Sequence, residues 1–173
     1  MTFFEDYEIG QVTELGSHRF TAEDIVRFAS AFDPQPFHVD EAAAANSHFG
    51  GLVASGWHTG AVMMRLLVEH RRRRLAEAAA RNEPVGRIGP SPGFEDLKWV
   101  RPVRAGDVIG YRSTVLAKRD WPKRPGWGLL SHRNEGFNQD GELVFAMTGH
   151  VLVERRAPVA PAATSEPAAS DAP

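Results

Sequence analysis

The chain contains no cysteine. That excludes disulfide bonds, thiolate metal ligands and a cysteine nucleophile, and it suits a reducing cytoplasm. Charge of one sign is lacking too. The formal net charge is only -2, so nothing in the balance points to nucleic acid or an anionic membrane as a partner. No run approaches the roughly 20 apolar residues that a membrane helix requires. The longest candidate, 61–68, is interrupted by Arg65 and followed by Glu69. The opening stretch 1–6 lacks the basic start and apolar core of a signal peptide. No His-Glu-x-x-His pattern occurs, and His48 and His58 lack metal-ligand spacing, so no metal is expected. The expectation is a soluble cytoplasmic protein with no nucleic-acid, membrane or metal partner.

What is present fits one ordinary globular domain. The 173 residues are 42% hydrophobic and 24% charged, enough to bury a real core. From residue 157 the chain becomes rich in alanine and proline with no large side chain to bury, which predicts a disordered tail over 157–173. The domain is then 1–156. It shows no internal repeat and no dividing linker.

Hydrophobic periodicity predicts the order of elements. Gln11 to Phe20 reads as a strand, and Thr21 is placed to cap a helix with Glu23 and Asp24 in its first turn. Ile25, Val26, Phe28, Ala29 and Phe32 supply its apolar face, and Asp33-Pro34 ends it. An irregular turn, a short helix over about 41–46 and a Gly50-Gly51 bend follow. A long helix is predicted from about Trp57 to Arg81. Its segment 61–68 is apolar nearly all round except for Arg65, the mark of an enclosed helix. Strands are predicted over about 93–99, 107–119, 128–138 and 142–154, the last two joined by a turn ending in Asp140-Gly141. One strand, short helices, a buried helix and an antiparallel meander make an α+β hotdog fold, a curved sheet wrapped around a central helix.

The chemistry-bearing residues cluster early. Prolines at 34 and 36 stiffen a turn bracketed by Asp33 and His38. A carboxylate and an imidazole brought onto one water or substrate carbon can share proton removal and return. On spacing alone, an Asp and a His five residues apart more often only cap the turn and bond backbone. Gly56, just before the long helix, allows close approach to backbone N–H groups aligned with the helix dipole, which can hold a developing oxyanion. It can also serve tight helix–sheet packing alone.

Asp33-x-Gln35-Pro36-x-His38-x-Asp40 resembles the D-x-N-P-x-H-x-D motif of MaoC-like dehydratases and R-specific enoyl-CoA hydratases. Ala54-Ser55-Gly56 falls where that family has an A-H-G turn. Tyr7-Glu8-Ile9-Gly10 resembles its opening, and 99–107 resembles its P-V-x-x-G-D turn into a strand. The resemblance implies reversible addition of water to a 2-enoyl-CoA. It makes Asp33 and His38 the catalytic pair and Gly56 the donor to the thioester oxygen. It implies no cofactor beyond the coenzyme A of the substrate, and a homodimer or higher homo-oligomer as the assembly. The chain departs from the family at Gln35, which replaces asparagine, and at Ser55 and Trp57, which replace histidine and an apolar residue. Gln35, Ser55 and Trp57 are the expected substrate-binding positions.

Other residues carry weaker expectations. His58 reads as structural. The run Arg71–Arg74 reads as a solvated helix end, with coenzyme A phosphate as the other reading. Arg101, Arg104 and Lys118 are further phosphate candidates. The loop 121–127, with a tryptophan at each end, reads as hairpin decoration. Phe94 and Trp99 read as core. A hotdog thioesterase and a non-catalytic acyl-binding subunit stand as alternatives to the hydro-lyase.

Overall fold

The computed structural model describes residues 3–158. The predicted tail lies, from residue 159 on, outside the described residues. A short 3-10 turn, Phe4–Asp6, leads into β1 (Val12–Arg19) and α1 (Ala22–Phe32). Thr21 caps α1 as its sequence position predicts, its Oγ1 accepting from the Asp24 N–H at 3.1 Å. Ile25 and Ala29 are buried, but Phe32 is 74% exposed, so the apolar face of α1 is narrower than its sequence suggested.

The predicted irregular turn contains a further helical turn, α2 (Pro36–Val39). Pro36 starts it because its missing N–H and fixed φ suit the first helical position. In α3 (Glu41–Ala45), Asp40 is the cap, its Oδ1 accepting from the Ala43 N–H at 2.8 Å. Helix α4 (Gly56–Ala80) is followed by β2 (Gly93–Trp99), β3 (Val108–Asp120), β4 (Trp127–Phe137) and β5 (Leu143–Glu154). The turn into β5 uses Gly141 at φ 77°, where a left-handed residue closes the hairpin.

The strands form one antiparallel sheet in the order β1-β3-β4-β5-β2. Its curvature around α4 makes the hotdog fold. Val62, Met63 and Leu66 of α4 join Leu15, Ile109, Tyr111 and Phe145 from the strands in the main core. Tyr111 ties sheet to helix, its hydroxyl donating to the Thr59 carbonyl at 3.1 Å.

One expectation changes. Within a single chain α4 is not enclosed on all sides. Trp57 is 56% and Met64 48% exposed, and beside them on the edge strand Phe94 is 55% and Trp99 47% exposed. Phe94 and Trp99 are therefore not core residues. The sheet covers one face of the helix, and an apolar strip is left along α4 and β2.

Candidate active site

The N-terminal end of α4 gathers three pieces of chain. Asp33 ends α1, Gln35 sits in the proline turn, α2 carries His38, and the segment before α4 carries Ser55. That last segment is tied down at two points. The Val53 N–H donates to the Phe37 carbonyl at 3.3 Å, and the Ala54 N–H donates to the Val103 carbonyl at 2.8 Å.

His38 is buried, with Nδ1 2.7 Å from the Val53 carbonyl oxygen. A carbonyl only accepts, so this contact places the proton on Nδ1. In the neutral ring Nε2 is then the bare nitrogen, and it lies 3.5 Å from Asp33 Oδ2.

The Asp33 carboxylate is held at both oxygens. Ser55 Oγ donates to Oδ2 at 2.7 Å, and Gln35 Nε2 donates to Oδ1 at 2.9 Å. The Ser55 bond, then the Gln35 bond, hold this carboxyl below the usual carboxylate range, with a smaller contribution from His38.

Ser55 is also the cap of α4, its Oγ accepting from the Trp57 N–H at 3.2 Å. It is buried at 1% exposure and lies outside the cavity wall, so it contacts the carboxylate rather than open space. Gly56 is the first residue of α4, and its N–H has no acceptor among the described residues. It stands at the positive end of the helix dipole.

Asp33, Gln35, His38, Gly56 and Trp57 all line one cavity of about 440 Å³. The structure thus brings together five of the six residues singled out from sequence, with Ser55 directly behind. Its far wall runs through Trp99 to Val103. Trp99 lies against Gly56 so closely that a Cβ there would sit 2.4 Å from the indole. Trp57 meets the same indole edge-on, with ring centroids 5.2 Å apart.

Of the three separate phosphate candidates, Arg101 lines the cavity and pairs with Glu142 at 3.3 Å. Arg104 instead bonds the Phe49 carbonyl, and Lys118 bonds the carbonyls of Glu5 and Tyr7. His58 is stacked on Phe28 at 4.5 Å and does not line the cavity. Burial pushes its pKa down to about 4. Among the described residues no cluster of three or more His, Asp or Glu side chains is placed to share a metal ion.

Phe37, Phe49 and the 99–103 wall were missed as cavity residues. The 99–107 motif was the available signal, because its turn has to meet the 53–54 segment.

The MaoC like domain family matches residues 6–126. The chain belongs to this family. It is 31% identical over 151 residues to the uncharacterized protein YdeM of Bacillus subtilis, covering 87% of this chain and 98% of YdeM. It is 30% identical over 118 residues to a 3-hydroxybutyryl-CoA dehydratase of Methylorubrum extorquens, covering 65% of this chain and 63% of that protein. Among solved structures, a MaoC-like dehydratase from Rhodospirillum rubrum superposes with a TM-score of 0.75 at 39% identity, over 91% of this chain and 99% of that one.

Proposed function

We propose that the chain is a hydro-lyase that adds water reversibly to a 2-enoyl-CoA, giving a 3-hydroxyacyl-CoA. The observation that carries this reading is the convergence of Asp33, His38 and the Gly56 backbone on one cavity. Similarity to a 3-hydroxybutyryl-CoA dehydratase supports the thioester substrate class.

In the forward direction a water molecule bridges Asp33 Oδ2 and His38 Nε2. Its oxygen bonds to the β carbon while its proton passes to Nε2, the basic nitrogen left by the Val53 contact. The π electrons move through the α carbon onto the thioester oxygen, where the Gly56 N–H stabilises the enolate. The proton then returns from the His38–Asp33 pair to the α carbon, so no other proton carrier is consumed. A thioesterase would need only the activated water. Hydration needs in addition a group that delivers the proton back to the α carbon, and His38 Nε2 beside the Asp33 carboxylate can serve both tasks. Coenzyme A enters only as part of the substrate, and Arg101 is the cation at the cavity that can meet its phosphates.

The test is loss of the conjugated thioester with crotonyl-CoA and with longer and branched enoyl-CoAs, followed alongside free-thiol release. Hydration without thiol release is expected. Thiol release without hydration would move the assignment to a thioesterase, and no turnover across the panel would leave an acyl-binding subunit.

The apolar strip on α4 and β2 is read as the face on which a second copy packs, making a homodimer. A contiguous apolar surface of this kind marks an interface, and β2 is an edge strand with unpaired backbone groups. Placing a charge in the strip with Met64→Glu is expected to lower the solution mass, measured by light scattering, from dimer to monomer. A wild-type monomer at the same concentration would reject the interface.

A further inference from the structure

Two adjoining cavities, of about 90 and 200 Å³, lie between the C-terminal half of α4 and the sheet. They share Leu67, Arg71, Ile88, His132 and Val151. Arg71 stands fifteen residues beyond Gly56, about 22 Å along the helix axis.

The walls are mainly aliphatic, with Leu15, Leu75, Val115 and Leu130 completing one side. Neither lining contains a carboxylate, and Arg71 borders both cavities. Arg71 is half-buried and forms no hydrogen bond or ion pair among the described residues. The expected solvated helix end is therefore only partly so, since Arg72 and Arg73 are exposed while Arg71 turns inward. Arg74 differs in being paired with Glu77 at 3.3 Å.

Facing Arg71 are two buried polar side chains of β4. His132 is 9% exposed and Asn134 1% exposed, and His132 Nδ1 and Asn134 Oδ1 have no partner among the described residues. Buried polar atoms left without partners are costly and call for an explanation. A half-buried cation without a counter-charge is costlier still. Burial pushes His132 down to about 4, so it presents a neutral ring that does not compete with Arg71 for an anion. Tyr7, beside Arg71, lines the smaller cavity and carries a hydroxyl that can donate, and burial raises its pKa further above the ordinary tyrosine value.

We propose that these cavities form a ligand site for a carboxylate carried on an apolar chain. The carboxylate lies on Arg71 and His132, and the chain follows the aliphatic wall. The charge of the lining gives the sign of the ligand. The leucine, isoleucine and valine surface gives its body.

Two sources share this chemistry. One is a free fatty acid. The other is the ω-carboxylate of an acyl thioester whose reacting end sits at Asp33 and His38, and this source rests on the hydratase reading. A hollow lined by Met64, Phe94 and Met147 borders the larger of the two distal cavities on one side, and at its other end reaches Gly56, Trp57 and Trp99.

The test is calorimetric titration of the full chain with decanoate, decanol and decyltrimethylammonium. Decanoate is expected to saturate one site per chain. Arg71→Met should weaken it by about 10-fold or more, the scale of one charge-assisted hydrogen bond. His132→Phe should weaken it as well, and exposed Arg72→Met should leave it unchanged. Absence of saturable decanoate binding would overturn the proposal. So would equal affinity for decanol, or wild-type affinity in Arg71→Met. Because binding is read without turnover, the outcome stands whether or not the chain hydrates enoyl-CoA.

Kinetics with ω-carboxylated and plain 2-octadecenoyl-CoA, whose extended chains are long enough to cover the distance from Gly56 to Arg71, separate the sources. A fall in kcat/KM in Arg71→Met confined to the ω-carboxylated thioester assigns the site to the substrate tail. Loss of decanoate binding with both rates unchanged assigns it to a free fatty acid.

Discussion

His38→Ala and Asp33→Asn are each expected to lower hydration of crotonyl-CoA by at least ~100-fold, the low end for groups that transfer protons in the transition state. The two substitutions fail for different reasons. Alanine removes the Nε2 acceptor outright. Asparagine keeps the size of the side chain and can still accept from Ser55, but it offers no ionised oxygen to the water.

The pH dependence provides a further check on the same pair. Hydrogen bonds from Ser55 and Gln35 hold Asp33 below the usual carboxylate range, so the carboxylate persists into more acidic solution than a free aspartate would. Removing the Ser55 hydroxyl takes away the largest of these contributions, so the titration of the Asp33 carboxyl should move to higher pH. The stability sign follows from the same shift. A depressed carboxyl pKa stabilises the fold above its unfolded value, and this contribution is lost as pH falls through the folded value. The measurement is the side-chain carboxyl titration of Asp33 followed by NMR in wild type and Ser55→Ala, beside initial rates for His38→Ala and Asp33→Asn. Substantial activity retained in both His38→Ala and Asp33→Asn, with unchanged circular dichroism, would reject the proposed roles.

Gly56→Ala carries the second large effect. A Cβ at this position would meet three atoms of the Trp99 indole at 2.4–2.6 Å, inside any contact that real side chains make. Either the indole or the first turn of α4 has to move. Overpacking of this kind costs about 1–3 kcal/mol, measurable as a lower denaturation midpoint. Because the displaced turn carries the proposed donor to the thioester oxygen, turnover should fall by about 100-fold, the scale of a lost oxyanion contact. Adding Trp99→Ala to Gly56→Ala relieves the clash, so the pair should be clearly non-additive in stability. A single Gly56→Ala variant with wild-type stability and turnover would show that the glycine is not needed for close approach.

Much of the fold was legible because its signals are local. Thr21 with two acids behind it, Asp33-Pro34 and Asp140-Gly141 each mark a boundary through backbone chemistry that acts within a few residues. The β2 range 93–99 was read directly, and the other strands within a residue or two at each end. The turn of helix at Pro36 was missed because two nearby prolines were read as a stiff turn alone.

Burial of the long helix was legible as composition but not as geometry. Apolar residues nearly all round imply coverage, and the sequence does not say whether the cover is sheet or another copy of the chain. Phe94 and Trp99 were misread for the same reason, since alternation reveals two faces of a strand and not which neighbour each face meets. At the site, the proline turn and the glycine before the long helix made Asp33, His38 and Gly56 candidates, and the resemblance to the family, not their spacing, gave them their expected roles. The bond from Ser55 to Asp33 spans 22 positions, and no pattern within a short window could show it.

All the groups around the proposed proton transfer lie between residues 33 and 56, on a segment outside the sheet. Its hydrogen-bonded ties to the strand-side wall are few: the Ala54–Val103 bond, the Arg104 side chain on the Phe49 carbonyl and the bridge Val53↔Arg104. The sheet, by contrast, is cross-linked along the full lengths of β3, β4 and β5. The segment is therefore held by fewer hydrogen bonds than the sheet, and local opening is expected there first. Loss of the bonds at 103–104 would loosen the segment that carries Asp33, His38 and Gly56 from its wall as one piece, since Ser55–Asp33 and His38–Val53 lie within it, and would leave the strand ladders intact.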